Sequence, residues 1–316
     1  MEYLYLVICL VAIVLSADWL VAGAVTIAKR FGISDFVIGA VIVGVGTSFP
    51  ELVVSTIGAF SGSSDIAIGN VVGSNIFNIL GILGLTALIA PVAVSRENKR
   101  FDLPFCIGVS VLTLLLAFNF FTGGATGIGR IDGLVLLCCF SLFMYYSLKG
   151  GIEEDSAQNT GEVVTNKQLV LGIGKVLLGL GVLLVSSRIF LNNAILVAKA
   201  WGVNEAFIAI TLVACGTSLP ELAASLVAAA KKNTQLALGN VVGSNIFNLT
   251  LILGIASQIT PLTAVGITVV DYVMMIFAAV APLLFGFKGK LNRFAGALLF
   301  LCFVAYNAYL LYTQMN

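Results

Sequence analysis

The sequence predicts an all-α membrane protein: ten transmembrane helices in two inverted five-helix repeats, with broken helices at mid-membrane. Three observations predict it. Of 316 residues, 59% are hydrophobic and only 10% charged. So few charges could not cover a water-soluble core of this size, and apolar stretches long enough to span a bilayer recur throughout. The chain also carries one text twice. GTSFPE at 46–51 returns as GTSLPE at 216–221, and GNVVGSNIFN at 69–78 returns unchanged at 239–248, both at an offset of 170 positions. Finally, lysines and arginines are distributed unevenly among the loops.

The first span, near 3–28, lacks a basic leader; its positive charges, Lys29 and Arg30, follow it. It reads as a retained helix rather than a cleaved signal peptide. Spans near 35–60 and 66–91 contain the two motifs. Spans near 102–121 and 130–149 complete a first repeat over 1–149. The polar stretch 150–168 carries Glu153, Glu154, Asp155 and Glu162 and reads as an exposed linker. A second repeat, 169–316, follows with spans near 169–199, 205–230, 236–261, 268–287 and 292–313. The likeness extends beyond the motifs: residues 16–35 align with 186–205 at the same offset.

Five spans per repeat is an odd number, so the second copy enters the membrane from the opposite side, a plan common in secondary transporters. Loop charge agrees. With the N-terminus outside, the inner loops hold Lys29, Arg30, Arg96, Lys99, Arg100, Lys149, Lys167, Lys231, Lys232, Lys288, Lys290 and Arg293; the outer loops hold Arg130 and Lys199. The positive-inside rule then places both termini outside and the linker in the cytoplasm, with the plasma membrane as the expected location.

Several classes are excluded. Net charge is +1 and no basic, aromatic-interleaved patch points to nucleic acid. There is no histidine, and Cys9, Cys106, Cys138, Cys139, Cys215 and Cys302 sit in apolar runs without metal-ligand spacing, which reads as buried thiols. Ser48 and Ser218 have no histidine as a base, so the chain is not expected to be an enzyme. No cofactor and no protein partner is implied; the expected partners are the lipid bilayer and small cations.

The cation reading comes from the motifs. Pro50 and Pro220 each remove a helix donor, and the neighbouring glycines ease departure from helical geometry. The helices are therefore expected to break near 46–50 and 216–220. Freed carbonyls are tolerated in a bilayer only beside protein or a water-filled cavity, and such oxygens suit hard cations. Thr47, Ser48, Thr217 and Ser218 add hydroxyls at the same level. Glu51 and Glu221 supply charge at a depth where a carboxylate costs several kcal/mol unless compensated. The basic residues within spans, Lys175 and Arg188, fall nearer the ends of the sixth and have no twins in the first repeat. Two acids repeated without a basic partner call for a mobile cation or protons.

In the second motif, Asn78 and Asn248 are expected at the site. Asn70, Asn75, Asn240 and Asn245 are expected behind it, holding the groups that face the ion. Ser74 and Ser244 offer further hydroxyls, while Gly69, Gly73 and their twins suit close helix packing. Asp18 has Arg188 as its twin, so a peripheral polar contact is expected there.

At these residues the sequence resembles the cation/calcium exchanger superfamily, and among its members the prokaryotic sodium/calcium exchangers most. The resemblance covers both repeats. It implies sodium/calcium antiport by alternating access. Glu51 and Glu221 would be shared by calcium and sodium, with Thr47 and Thr217 completing the calcium shell. Ser48, Ser74 and the Gly44 carbonyl would form one sodium site; Ser218, Ser244 and the Ala214 carbonyl would form the other. Asn78 and Asn248 would face the middle. Spans one and six would slide across the remaining eight. Several relatives, potassium-dependent ones in particular, carry Asp where this chain has Asn248, so the resemblance implies no potassium co-transport here. The alternatives are calcium/proton antiport through the same carboxylates, whose branch shows a GNxxE-like motif absent here, and a cation channel.

Overall fold

The computed structural model describes residues 2–120, 126–155, 164–201, 216–263 and 266–315. Helix dominates, as apolar sequence in a bilayer requires: every backbone polar group needs a partner within the chain. The helices are α1 (Glu2–Phe31), α2 (Asp35–Thr47), α3 (Phe49–Phe60), α4 (Ser64–Ile89), α5 (Asn98–Ala117), α6 (Arg130–Asp155), α7 (Asn166–Ala200), α8 (Leu219–Ala230), α9 (Thr234–Ile259), α10 (Val269–Phe285) and α11 (Arg293–Met315). Among the described residues, seven of these are long and apolar enough to cross a membrane; α2 and α3, joined as one bent span, make eight. Two more, α8 and α10, are apolar but shorter.

Residues 202–215, and with them Ala214 and Cys215, lie outside the described residues. So do residues 156–163 of the expected linker. Its edges are helical: α6 runs on to Asp155 and α7 begins at Asn166. Thr165 caps α7, its hydroxyl accepting from the Gln168 amide while Gln168 Oε1 accepts from the Thr165 amide. This reciprocal box satisfies two donors at a helix start, and explains why α7 begins there.

The apolar side chains form two cores. The larger unites α2 to α6 with α9 to α11, with Ile68, Leu80, Leu83, Val241, Leu253 and Tyr272 fully enclosed. The smaller joins α1 to α7 and lays the pair on α2, α8 and the start of α9 through Ile38, Val43, Ala224 and Leu236. The outer faces of both helices expose Val7, Leu10, Val11, Leu171, Leu177 and Leu178, as lipid contact requires. Glycines let the two backbones meet: a side chain at Gly23 would strike the Gly172 carbonyl, and one at Gly179 would strike Ser16 and Leu20. Polar clips hold both ends. Trp201 Nε1 donates to Tyr3 Oη at 3.0 Å, and Arg30 donates to Asn166 Oδ1 at 3.1 Å.

Loops from opposite halves pair across the molecule. β1 (Val92–Ala93) and β2 (Lys290–Leu291) form an antiparallel ladder, Val92 opposite Leu291. A separate bridge joins Ile128 to Leu262. Val92 and Leu262 are repeat twins, 170 positions apart. Each half thus reaches into the other in the same way.

Candidate cation site

The first proline motif breaks its helix, and the second opens one after a turn. The axis turns by 46° between α2 and α3, at Ser48. In the second copy a turn at Thr217 and Ser218 precedes α8. Pro50 and Pro220 occupy the first turns of α3 and α8, where proline is tolerated because its missing donor would have been unpaired. Glu51 and Glu221 follow directly, also in the first turn. The positive end of each half-helix dipole therefore lies under a carboxylate, offsetting part of its burial cost. Both glutamates are completely buried.

The two breaks face each other. Ser48 Oγ donates to Glu221 Oε1 at 2.9 Å, and Ser218 Oγ donates to Glu51 Oε1 at 2.8 Å. Each serine lies three residues before its own glutamate yet binds the other one. The carboxylates therefore sit within one serine's reach of each other's helix break. Ser74 Oγ adds a longer donation to Glu51 Oε1 at 3.4 Å.

The asparagines form a frame. Asn70 Nδ2 donates to the Glu51 carbonyl and to Ser55 Oγ; Asn240 Nδ2 donates to the Glu221 carbonyl and to Ser225 Oγ. These amides fix the backbone that carries each acid. Asn75 Nδ2 donates to the Asn245 carbonyl at 3.2 Å, and Asn245 Nδ2 returns the bond to the Asn75 carbonyl at 3.0 Å. Asn78 Nδ2 donates to Asn245 Oδ1 at 3.0 Å, while Asn248 Nδ2 donates to Asn75 Oδ1 at 3.1 Å. Turning either outer amide over would set oxygen against oxygen. Asn78 and Asn248 are thus held with their own oxygens directed away from this ladder.

Five oxygens of the motifs are left buried without a donor: Glu51 Oε2, Glu221 Oε2, Asn78 Oδ1, Asn248 Oδ1 and Thr217 Oγ1. An unmet buried acceptor costs about 1–3 kcal/mol, more when charged. Two carboxylate oxygens with neutral amide and hydroxyl oxygens are the donor set that hard cations prefer. The nearest bases do not answer the charge: Lys175 and Arg188 both point to the exposed face of α7. The peripheral contact expected of Asp18 is present, as an ion pair with Lys231 at 2.6 Å.

Two expected groupings differ. The Gly44 carbonyl is not freed by the break: it accepts from Ser48 N at 3.1 Å and Ser244 Oγ at 3.2 Å. The helix widens into a π-turn over Gly39–Gly44 instead of unwinding, so the backbone stays paired. Ser244 accordingly holds Gly44, whereas its twin Ser74 holds Glu51. The Thr47 hydroxyl is within reach of the Val43 and Gly44 carbonyls and Asn240 Oδ1, and it lies beside Glu221 as its twin Thr217 lies beside Glu51. The sequence also gave no warning of π-turns over Phe77–Leu83 and Asn248–Ile252, which carry Asn78 and Asn248. A wide turn in each of two helices at the same asparagine rotates that side chain relative to the regular helix before it.

α7 lies across both breaks. A side chain at Gly46 would meet Leu180, and one at Gly216 would meet Leu191. The bare glycines let this long helix seat directly on the two turns.

Comparison with known proteins gives one consistent family. The family described as "Sodium/calcium exchanger protein" matches residues 1–149 and 171–312. The sodium/calcium exchanger MaX1 of Methanosarcina acetivorans is 31% identical over 98% of this chain and 99% of its own length. The inner membrane protein YrbG of Escherichia coli is 34% identical over 81% of this chain and 79% of its own. Among solved structures, the sodium-calcium exchanger NCX_Mj soaked with 10 mM Na+ and zero Ca2+ superposes with a TM-score of 0.83 at 31% identity, covering 97% of this chain and 98% of that one.

Proposed function

The chain belongs to the sodium/calcium exchanger family and is a multi-pass membrane antiporter of sodium and calcium, and from that premise we propose that Glu51 and Glu221 are the ligands the two ions share. The observation that carries this reading is the set of five buried oxygens without donors, two of them from these acids. Thr217, Asn78 and Asn248 complete the ligand set. Ser48 and Ser218 hold the carboxylates and turn their lone pairs to sodium; Ser74 assists on one side. Asn70, Asn75, Asn240 and Asn245 position the ligands.

Charge explains why exchange is favoured over a one-way leak. Empty, the site holds two buried negatives, which resist transfer through the bilayer. One calcium neutralises both, as do two sodium ions. Loading therefore removes the penalty and licenses the step that changes access. A third sodium would leave the site positive and make transport respond to membrane potential.

The architecture is ten spans in two inverted repeats, with both termini outside, the linker cytoplasmic and the protein in the plasma membrane. The reciprocal asparagine bonds and the twin loop pairings between halves support the two-fold relation. α1 and α7 form the moving unit. They share their own core, are clipped at both ends, and cross both breaks on glycine. The Asp18–Lys231 pair crosses from this unit to the rest, but both side chains are well exposed. Such a pair contributes about 1 kcal/mol at most and does not lock the unit.

The test is calcium uptake into proteoliposomes under sodium, proton and potassium gradients imposed in turn. Uptake driven by sodium alone supports the reading. Equal uptake under a proton gradient without sodium overturns it.

A further inference from the structure

A short hairpin, residues 286–292, joins the apolar helices α10 and α11, so it lies at a membrane face. It carries Lys288 and Lys290 and leads to Arg293 at the start of α11, all three exposed. From residue 272 to the end of the sequence there is no acid. Among the described residues, none of the three bases forms an ion pair. The adjoining loop adds Arg96, Lys99 and Arg100 against one exposed acid, Glu97, so the surroundings stay positive.

The hairpin is firmly built. Gly289 takes a φ of +90°, a conformation that favours glycine. Its amide donates to the Gly286 carbonyl at 2.8 Å, and its carbonyl accepts from Val94 N at 2.9 Å. The β1–β2 ladder continues this junction. β1 is fastened in turn to the start of α9: Ala93 N donates to Thr234 Oγ1 at 3.2 Å, and Gln235 Nε2 donates to the Ala93 carbonyl at 2.9 Å. Strand alternation sends Leu291 into the core and Lys290 outward. Arg293 spends one donor on the Ile89 carbonyl at 3.4 Å, which leaves its remaining N–H groups as donors.

We propose that this hairpin binds the phosphate headgroup of an anionic phospholipid. Charge complementarity calls for an anion, and the apolar surroundings select a lipid over a soluble one. Phe287 and Phe294 flank the bases and are 76% and 77% exposed. Rings so open are unfavourable in water and are covered by acyl chains. Each helix also carries an exposed apolar stripe that ends at the hairpin: Phe277 and Leu284 on α10, Phe294 and Leu301 on α11, each pair seven positions apart and so on one helix face. A headgroup held by the bases therefore has apolar surface directly beside it for its chains. Because the bases sit on a preformed ladder, little ordering is needed to bind.

The test uses the full-length protein and the Lys288→Gln/Lys290→Gln variant in native mass spectrometry. Both are titrated with phosphatidylglycerol, phosphatidylcholine and inorganic phosphate. Each basic group contributes about fivefold near an anionic surface, so the double variant should bind phosphatidylglycerol about thirtyfold less, and either single variant about fivefold less. Thermal unfolding in detergent checks that the variants are folded. Arg96→Gln/Lys232→Gln removes the same charge from neighbouring loops and should bind phosphatidylglycerol nearly as the wild type does. An equal loss in that control would show diffuse attraction and overturn the site. Phosphatidylglycerol binding unchanged by the hairpin substitutions, or no preference for it over phosphatidylcholine, also overturns the proposal. Inorganic phosphate that displaces the lipid with the same lysine dependence would make the ligand a soluble anion and overturn the lipid assignment.

Discussion

Replacing Asn75 with alanine tests whether the asparagine frame sets the site. The side chain makes two buried bonds, donating to the Asn245 carbonyl at 3.2 Å and accepting from Asn248 Nδ2 at 3.1 Å. Alanine fills neither role: the Asn248 side-chain amide loses its partner, and the Asn245 carbonyl keeps its backbone donor, Asn248 N. At about 1–3 kcal/mol for the unmet amide and about 0.5–1.5 for the lost bond to the carbonyl, the loss is ~1.5–4.5 kcal/mol before relaxation. Relaxation has a direction. Asn248, no longer held, is free to turn its amide protons toward the cation position in place of its oxygen. The loss therefore divides between stability and ion affinity. If one third or more reaches the site at the upper end of that range, half-saturating calcium rises at least about tenfold, since 1.4 kcal/mol is one decade. Asn245→Ala removes the matching pair of bonds, at 3.0 Å each, and should behave alike. Asn193→Ala is the control: it loses one exposed bond to the Ile189 carbonyl within its own helix. Calcium uptake against concentration, with thermal unfolding in detergent, reads both quantities. Wild-type half-saturation and unfolding temperature in Asn75→Ala and Asn245→Ala would refute the reasoning.

Three further outcomes are expected. Ser48→Ala and Ser218→Ala each remove a hydroxyl bond to a carboxylate, worth about 1.5–3 kcal/mol; each should weaken sodium activation by about ten- to a hundredfold and to a similar extent, and an unchanged sodium requirement in sodium-titrated uptake would count against their role. Gly216→Val puts a branched side chain against Leu191 of α7; turnover should fall about tenfold or more with little change in equilibrium calcium binding, and Leu191→Ala should restore part of the rate in the Gly216→Val background. Lowering the pH should weaken calcium binding, because calcium requires Glu51 and Glu221 both charged and protons compete for the same oxygens; calcium titrations at a series of pH values check this, and pH-independent binding would remove the carboxylates from the site.

The first broken helix was legible because proline and glycine act locally: the break expected near 46–50 appears at Ser48, and a turn at 217–218 precedes α8 in the second copy. The pairing of Glu51 with Glu221 was legible through the repeat. What the repeat could not show is which partner each twin selects. Ser74 and Ser244 are identical letters in identical ten-residue words, yet Ser74 reaches Glu51 at 3.4 Å while, among the described residues, Ser244 is bonded to Gly44 and not to Glu221. That choice depends on how two helices from different halves seat against each other, a tertiary outcome no local pattern encodes. The π-turns at Asn78 and Asn248 were hidden for a similar reason: an extra residue in a turn leaves hydrophobic periodicity almost unchanged in a segment that is buried on all sides.

The central claim is that two buried carboxylates, one from each half, carry the exchanged cations. The most direct measurement is sodium-gradient-driven calcium uptake by Glu51→Gln and Glu221→Gln in proteoliposomes. Glutamine keeps the shape and one oxygen but removes the charge. The account predicts that either substitution abolishes uptake at calcium concentrations that saturate the wild type. Uptake at the wild-type rate in either variant would contradict it.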